Sequence, residues 1–249
     1  IIIASINNDT KEVKLVSVYR DTLLNTEDDT YDKANSAYAV GGAEAAVNML
    51  NRNLDLNIQD YVSVNFLAVA DVVDLLGGID LDLTDEEVVH MNNYCVETSE
   101  ITGKKYKKIE PEVAGTYHLN GVQAVSYSRI RYTEGGDFQR TSRQRLVIEK
   151  IAEEAKKADL STINKIIDAV FPEITTSFTS GEIVKMSAGL LQYSIGDNEG
   201  FPMDNETPDS IPGYQGSYVV PKGLEENVIK LHKFLFPDED YTPTDTLKE

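Results

Sequence analysis

Strand-like and helix-like runs alternate along this chain, and that alternation confines it to layered α/β architectures. Ile1-Ile2-Ile3-Ala4-Ser5-Ile6 and residues 13–18 are rich in β-branched side chains. Asn7-Asn8-Asp9 between them is a turn signal, so the first eighteen residues read as a hairpin. Ala43, Ala46, Val47, Leu50 and Leu54 fall at helical spacing over 42–54. Residues 61–66 alternate as a strand, 67–76 read as an apolar helix stopped by Gly77-Gly78, and 79–83 as another strand. Thr84-Asp85-Glu86-Glu87 is a capping box that opens a helix to about Tyr94. The lysine-rich stretch 97–113 reads as a solvated hairpin. Further helices are expected over 120–131, 137–157, 161–170, 180–193 and 222–235, with a loop over 197–216 and a short strand over 217–220. The expected fold is a three-layer α-β-α domain with a mixed central sheet over 1–236, followed by a polar tail, 237–249, that frays.

Composition excludes several functions. With 41% hydrophobic and 26% charged residues, the 249-residue chain can build a core, but its net charge of -19 repels nucleic-acid phosphates and anionic membrane surfaces. A general nucleic-acid binder is therefore not expected. Cys95 is the sole cysteine, which rules out an intrachain disulfide and any Cys-rich metal site. No run approaches the ~18 apolar residues of a membrane span. The chain opens on a strand already in progress, so an upstream segment, with room for an anchor or signal, is expected.

Against this acidic background, five of the seven arginines (Arg129, Arg131, Arg140, Arg143 and Arg145) fall between residues 129 and 145. Arg is the planar, permanently charged donor that grips phosphate bidentately. Gly135-Gly136 precedes Asp137, a good N-cap, and Arg140, Arg143 and Gln144 follow on one helix face near a terminus whose dipole favours anions. Val147, Ile148 and Ile151 continue that helix as apolar positions, which fit either an apolar groove or ordinary core. Ion pairing to the surplus carboxylates would explain the same arginines. A second charged group, Arg20-Asp21, stands where the second strand ends, the position where α/β sheets bind ligands, and Lys33 follows it. His90, His118 and His232 lie far from the cluster in sequence, and no catalytic triad is legible.

Taken together, Ser17 to Thr22, Lys33 to Tyr38 with Gly41-Gly42, Val73-Asp74 with Leu76-Gly77-Gly78, Leu119-Asn120-Gly121, and Arg129-Ile130-Arg131 with Gly135 to Gln144 resemble the LytR-CpsA-Psr family. The resemblance covers roughly residues 1–157. It implies a membrane-anchored protein on the extracellular face of a bacterial envelope. Such a protein moves an anionic glycopolymer, of the teichoic acid or capsular polysaccharide type, from polyprenyl pyrophosphate to peptidoglycan, making it a phosphotransferase. It implies that Arg20, Lys33, Arg129, Arg131, Arg140 and Arg143 bind phosphate and that Asp21 and Gln144 orient them. Asp137 would be a general base, an N-cap, or both, and Val147, Ile148 and Ile151 would contact the prenyl chain. It also implies Mg2+ or Mn2+, with aspartate ligands in a segment before the first strand and so upstream of Ile1; no metal ligand is assigned in the chain itself. Two positions depart from the family pattern: Tyr19 stands where Pro is usual, and Gln139 where Gly is usual. Two other activities would use the same arginines: a non-catalytic polyprenyl-phosphate binder and a lipid pyrophosphatase.

Overall fold

The computed structural model describes residues 1–189 and 192–248. In chain order its strands are β1 (Ile2–Asn7), β2 (Glu12–Val18), β3 (Leu23–Glu27), β4 (Thr30–Lys33), β5 (Val62–Val64), β6 (Ile79–Leu83), β7 (Gly115–Leu119), β8 (Ile174–Thr176), β9 (Ser194–Phe201), β10 (Asn205–Glu206) and β11 (Val220–Pro221). Its helices are α1 (Ala34–Leu54), α2 (Phe66–Leu76), α3 (Asp85–Thr102), α4 (Gly121–Ser128), α5 (Gly136–Lys157), α6 (Leu160–Val170), α7 (Ser180–Gly189), α8 (Leu224–Leu235) and α9 (Asp245–Lys248). The fold class is the expected one, α/β with mixed pairing. β1 and β2 are antiparallel, β9 lies on the other edge of β2, and Thr22 bridges Val219 in parallel. Among the described residues no helix is long and apolar enough to cross a membrane. The chain forms two compact units, residues 1–61 with 196–249, and residues 62–195.

In the first unit, Leu15, Val16, Ser17 and Val18 of β2 are all buried, the signature of a strand covered on both faces. Ala37, Met49, Leu50 and Leu54 of α1 and Val228, Leu231 and Leu235 of α8 close over it, with Phe201 fully buried among them. Each large side chain so buried stabilises the unit by about 1.5–3 kcal/mol. α1 begins at Ala34, ahead of the start expected at 42, because the chain continues through a kink at Gly42 (φ 68, ψ -158) instead of starting there. Only glycine adopts that backbone region readily. Asn53 then holds β3 like a neighbouring strand: its Oδ1 accepts from Asn25 N at 2.9 Å and its Nδ2 donates to Asn25 O at 2.7 Å.

Two further expectations fail in this unit, both through non-local partners. The stretch from 197 was expected to be loop, yet β9 reaches Phe201. Its Gly-Asp-Asn-Glu-Gly composition carries no β signal; β2 supplies the edge, and Tyr19 N donates to Phe201 O at 2.9 Å. A Pro at position 19 would lack that donor. The tail was expected to fray, yet Asp55 accepts from Thr244 N, Thr244 Oγ1 and Tyr241 Oη at 2.8, 2.6 and 2.7 Å. Burial works to raise the Asp55 pKa, but these hydrogen bonds outweigh it and hold the carboxyl below its ordinary value.

In the second unit, the Ile-Asp-Leu-Asp-Leu of β6 alternates buried and exposed, and pairs antiparallel with β7 from Ile79↔Leu119 to Leu83↔Gly115. The turn after β7 is a single junction built from two sequence motifs. Asn120 caps α4 in a capping box with Gln123, and Asp74 Oδ1 of α2 accepts from Gly121 N at 2.7 Å. A Cβ on Gly121 would stand 2.2 Å from Ala70 O, so only glycine lets α4 seat on α2. Asp71 and Asp74 also grip Lys104 at 2.6 and 2.7 Å.

α3 runs past Tyr94 to Thr102, because Thr98 and Thr102 are buried and Thr102 Oγ1 donates to Thr98 O. The hairpin expected over 97–113 is therefore helical up to Thr102, and residues 103–114 contain no strand. Instead Lys105 O and Lys107 O accept from Asn120 and Gln123, which pins this segment to the cap of α4. α4 ends at Ser128, leaving 129–131 outside the helix expected there. The expectation that α7 extends to 193 falls partly on residues 190–191, outside the described residues.

Candidate functional site

The arginine segment leaves α4 and enters α5, and its side chains occupy three different settings. Arg129 is held in a stack: its guanidinium lies over Phe66 at 4.6 Å and Tyr94 at 5.3 Å. Its edge donates to Thr98 Oγ1 at 2.9 Å and Glu97 Oε2 at 2.6 Å. Arg131 and Arg140 share one carboxylate oxygen, Asp137 Oδ1, at 3.4 and 2.7 Å. Among the described residues Arg140 Nε is buried and makes no hydrogen bond. Arg143 is enclosed. Nε donates to Glu87 Oε1 at 2.9 Å, Nη1 to Ile130 O at 3.3 Å and Nη2 to Thr133 Oγ1 at 2.8 Å, while the guanidinium lies 5.9 Å from the centre of the Tyr127 ring.

Arg140 and Arg143 thus share a helix but not a setting. Arg143 ties α5 to Ile130 O and Thr133 Oγ1 and, through Glu87, to the N-terminus of α3, where Glu87 Oε2 also accepts from Thr84 N. Burial raises the neighbouring Tyr127 hydroxyl pKa to about 12. Gln144 is half-buried, and Arg145 is buried with Nη2 donating to Ser142 Oγ at 3.2 Å. The N-cap of α5 is Gly135, not Asp137. Asp137 lies in the first helical turn, and its carboxylate reaches the two guanidiniums. Further along α5, Val147 is buried in the unit's core cluster with Val73, Leu81 and Met91, and Ile151 packs against it. Ile148 is half-buried.

Several partners here had no sequence signal of their own. Glu87 read only as a capping residue, Phe66 as the last position of a strand, Tyr94 as the end of a helix, and Glu97 and Thr98 as part of a solvated hairpin. Burial, with Tyr132 adding to it, raises the Tyr94 pKa, and the Arg129 and Arg131 charges oppose that shift. The Tyr132 ring stacks on Tyr94 at 6.5 Å, and His90 lies 6.2 Å from Tyr132, so distance along the chain was a poor guide for that histidine.

In the first unit, Lys33 Nζ pairs with Asp21 Oδ1 at 3.1 Å and lies 4.8 Å from the Tyr218 ring centre. Tyr218 Oη donates to Asp32 Oδ1 at 3.1 Å, and Lys33 N to the same oxygen at 2.7 Å. Burial works against the Asp32 carboxylate, but these bonds prevail and its pKa is lowered. Arg20 is exposed. Asp21 and Lys33 are brought together across β3 and β4, a contact that the sequence order alone does not give.

Among the described residues no three His, Cys, Asp or Glu side chains converge to hold a metal ion.

The LytR_cpsA_psr family model matches residues 1–217. The chain belongs to the LytR-CpsA-Psr family. It is 35% identical over 204 residues to Biofilm regulatory protein A of Streptococcus mutans, covering 78% of this chain and 47% of that protein. It is 32% identical over 189 residues to the polyisoprenyl-teichoic acid–peptidoglycan teichoic acid transferase TagU of Enterococcus faecalis, covering 75% of this chain and 56% of that one. The chain thus spans about half the length of these family members. The crystal structure of Bacillus subtilis TagV superposes with a TM-score of 0.72 at 25% identity, over 97% of this chain and 89% of TagV.

Proposed function

We propose that the chain is the phosphotransferase part of a membrane-anchored protein on the extracellular face of the envelope. It would move a glycopolymer of the teichoic acid or capsular polysaccharide type from polyprenyl pyrophosphate to peptidoglycan. The observation that carries this reading is the setting of Arg131 and Arg140. Two guanidiniums on one carboxylate leave positive charge uncompensated, in a chain of net charge -19. The name of the TagU relative supports the same polymer class.

In the proposed reaction a peptidoglycan hydroxyl oxygen attacks the phosphorus that bears the polymer. The bond from that phosphorus to the bridging oxygen breaks, and polyprenyl phosphate leaves with the electron pair. The hydroxyl proton goes to Asp137. Such a transfer demands charge neutralisation and in-line placement more than covalent help. Arg129, Arg131 and Arg140 would supply the neutralising donors, and Arg20 and Lys33 have the same proposed role from the family motif. Arg143 acts by fixing the 130–133 segment, and Asp21 and Gln144 act as orienting groups. Ile148, outside the unit's core cluster, is the proposed prenyl contact. Mg2+ or Mn2+ stays part of the reading, and chelation is expected to stop transfer without lowering the melting temperature.

The direct test supplies lipid-linked polymer and peptidoglycan and follows the joined product. Replacing Arg140 by Ala is expected to slow transfer about 100-fold or more, the usual cost of losing one charge-stabilising donor. An unchanged rate would remove Arg140 from the mechanism. Free phosphate without joined product would identify a lipid pyrophosphatase, and bound lipid without either product a carrier.

A further inference from the structure

We propose that Glu97 is the built-in competitor for the phosphate that Arg129 receives, and so sets how tightly this site holds its ligand. The inference rests on the phosphate-binding reading above. Arg129 is a pre-formed fork. Phe66 and Tyr94 fix the plane of its guanidinium at 4.6 and 5.3 Å, and its side chain is only 16% exposed. Its two acceptors differ in kind. Thr98 is 0% exposed and anchored within α3, so that bond persists whatever binds. The Glu97 side chain is 58% exposed, and its carboxylate sits on Nη2 at 2.6 Å. A carboxylate is the side-chain group nearest to a phosphate oxygen in charge and in bidentate fit to Arg. An exposed carboxylate loses little on returning to water, because exposed ion pairs are weak.

Arg143 provides the contrast within the same segment. Its Glu87 partner is 14% exposed and also bonded at Thr84, so that carboxylate has nowhere to go when an anion arrives. Among the described residues Glu97 has no such second anchor. A ligand phosphate therefore takes the Nη2 edge while the aromatic stack and Thr98 keep the guanidinium in place. When the phosphate departs, Glu97 returns and neutralises a cation that would otherwise be left half-buried and unpaired.

The test is calorimetric titration of inorganic pyrophosphate into the wild-type chain and the Glu97→Gln and Arg140→Ala variants at low salt. Removing the competing charge is expected to tighten pyrophosphate binding about three- to fivefold, the scale of one exposed ion pair. The gain should fade as salt is raised. A purely structural role for Glu97, holding Arg129 in position, predicts the opposite sign. If Glu97→Gln binds no tighter while Arg140→Ala binds more weakly, the competitor role is overturned and the phosphate site stands. If none of the three binds pyrophosphate, the site reading falls and the competitor role falls with it.

Discussion

Arg140 and Arg143 lie one turn apart on α5, and their variants should separate activity from stability. Arg143 is 6% exposed, and truncating it would leave the half-buried Glu87 without its charge partner. Arg143→Ala is expected to lose about 3–5 kcal/mol of unfolding free energy in denaturant titration. Arg140→Ala should lose far less, because its partner Asp137 keeps Arg131. Equal losses would contradict the division of roles. His118 offers a pH-dependent counterpart. Its ring nitrogens lie 2.7 Å from Asp80 Oδ1 and 2.7 Å from Gly77 O, both acceptors, so both bonds form only with the imidazolium. The Asp80 bond, then the Gly77 bond, raise its pKa above the ordinary value. The stabilisation is therefore complete below the ordinary histidine pKa and is lost as pH rises through the raised one. The pair is exposed, so the effect is expected to stay below about 1 kcal/mol. His118→Asn should lower the melting temperature at pH 5.5 more than at pH 9, and a deficit that grew with pH would refute the sign.

Among the secondary-structure elements, α4 shows how far short motifs can be read. Leu119-Asn120-Gly121 announces a helix start through its capping residue, and the helix is there. The reason for the glycine is visible only in the packing against Ala70. Gly121→Ala is expected to cost about 1–3 kcal/mol, the range for overpacking, and to shift the α4 terminus that carries Arg129. Denaturant melts measure the first effect, and loss of pyrophosphate binding the second. A variant as stable as wild type would show that α2 and α4 can part cheaply. Helix cores and capping boxes were legible because their signals lie within one turn. β9 was not, because its partner β2 comes from distant sequence, and the far half of α3 was not, because polar Thr98 and Thr102 give no apolar period and their burial is visible only in the packing.

For the molecule as a whole, the second unit is one continuous segment, 62–195, with its own buried cluster and its own β5–β8 and β6–β7 pairs. Expressed alone, it is expected to fold with a cooperative thermal transition. A non-cooperative melt with exposed apolar surface would show that it needs the rest of the chain. The sequence, read as one domain over 1–236, offered no sign of this grouping, since no linker composition marks residues 61–62 or 195–196.

What the sequence determined by itself is the kind of protein: alternating periodicities give an α/β chain, and the arginine motif gives its family. Both are local or compositional signals, which survive without knowledge of what packs where. The tertiary structure alone decided the setting of each arginine. Arg143 is enclosed by Glu87, Ile130 and Thr133; Arg129 is stacked and edged by Glu97; Arg131 and Arg140 share Asp137. Five identical guanidiniums look alike in sequence. They differ physically only in which acceptors face them and how much water those acceptors keep, and both are set by residues such as Glu87 and Glu97 that lie far away along the chain.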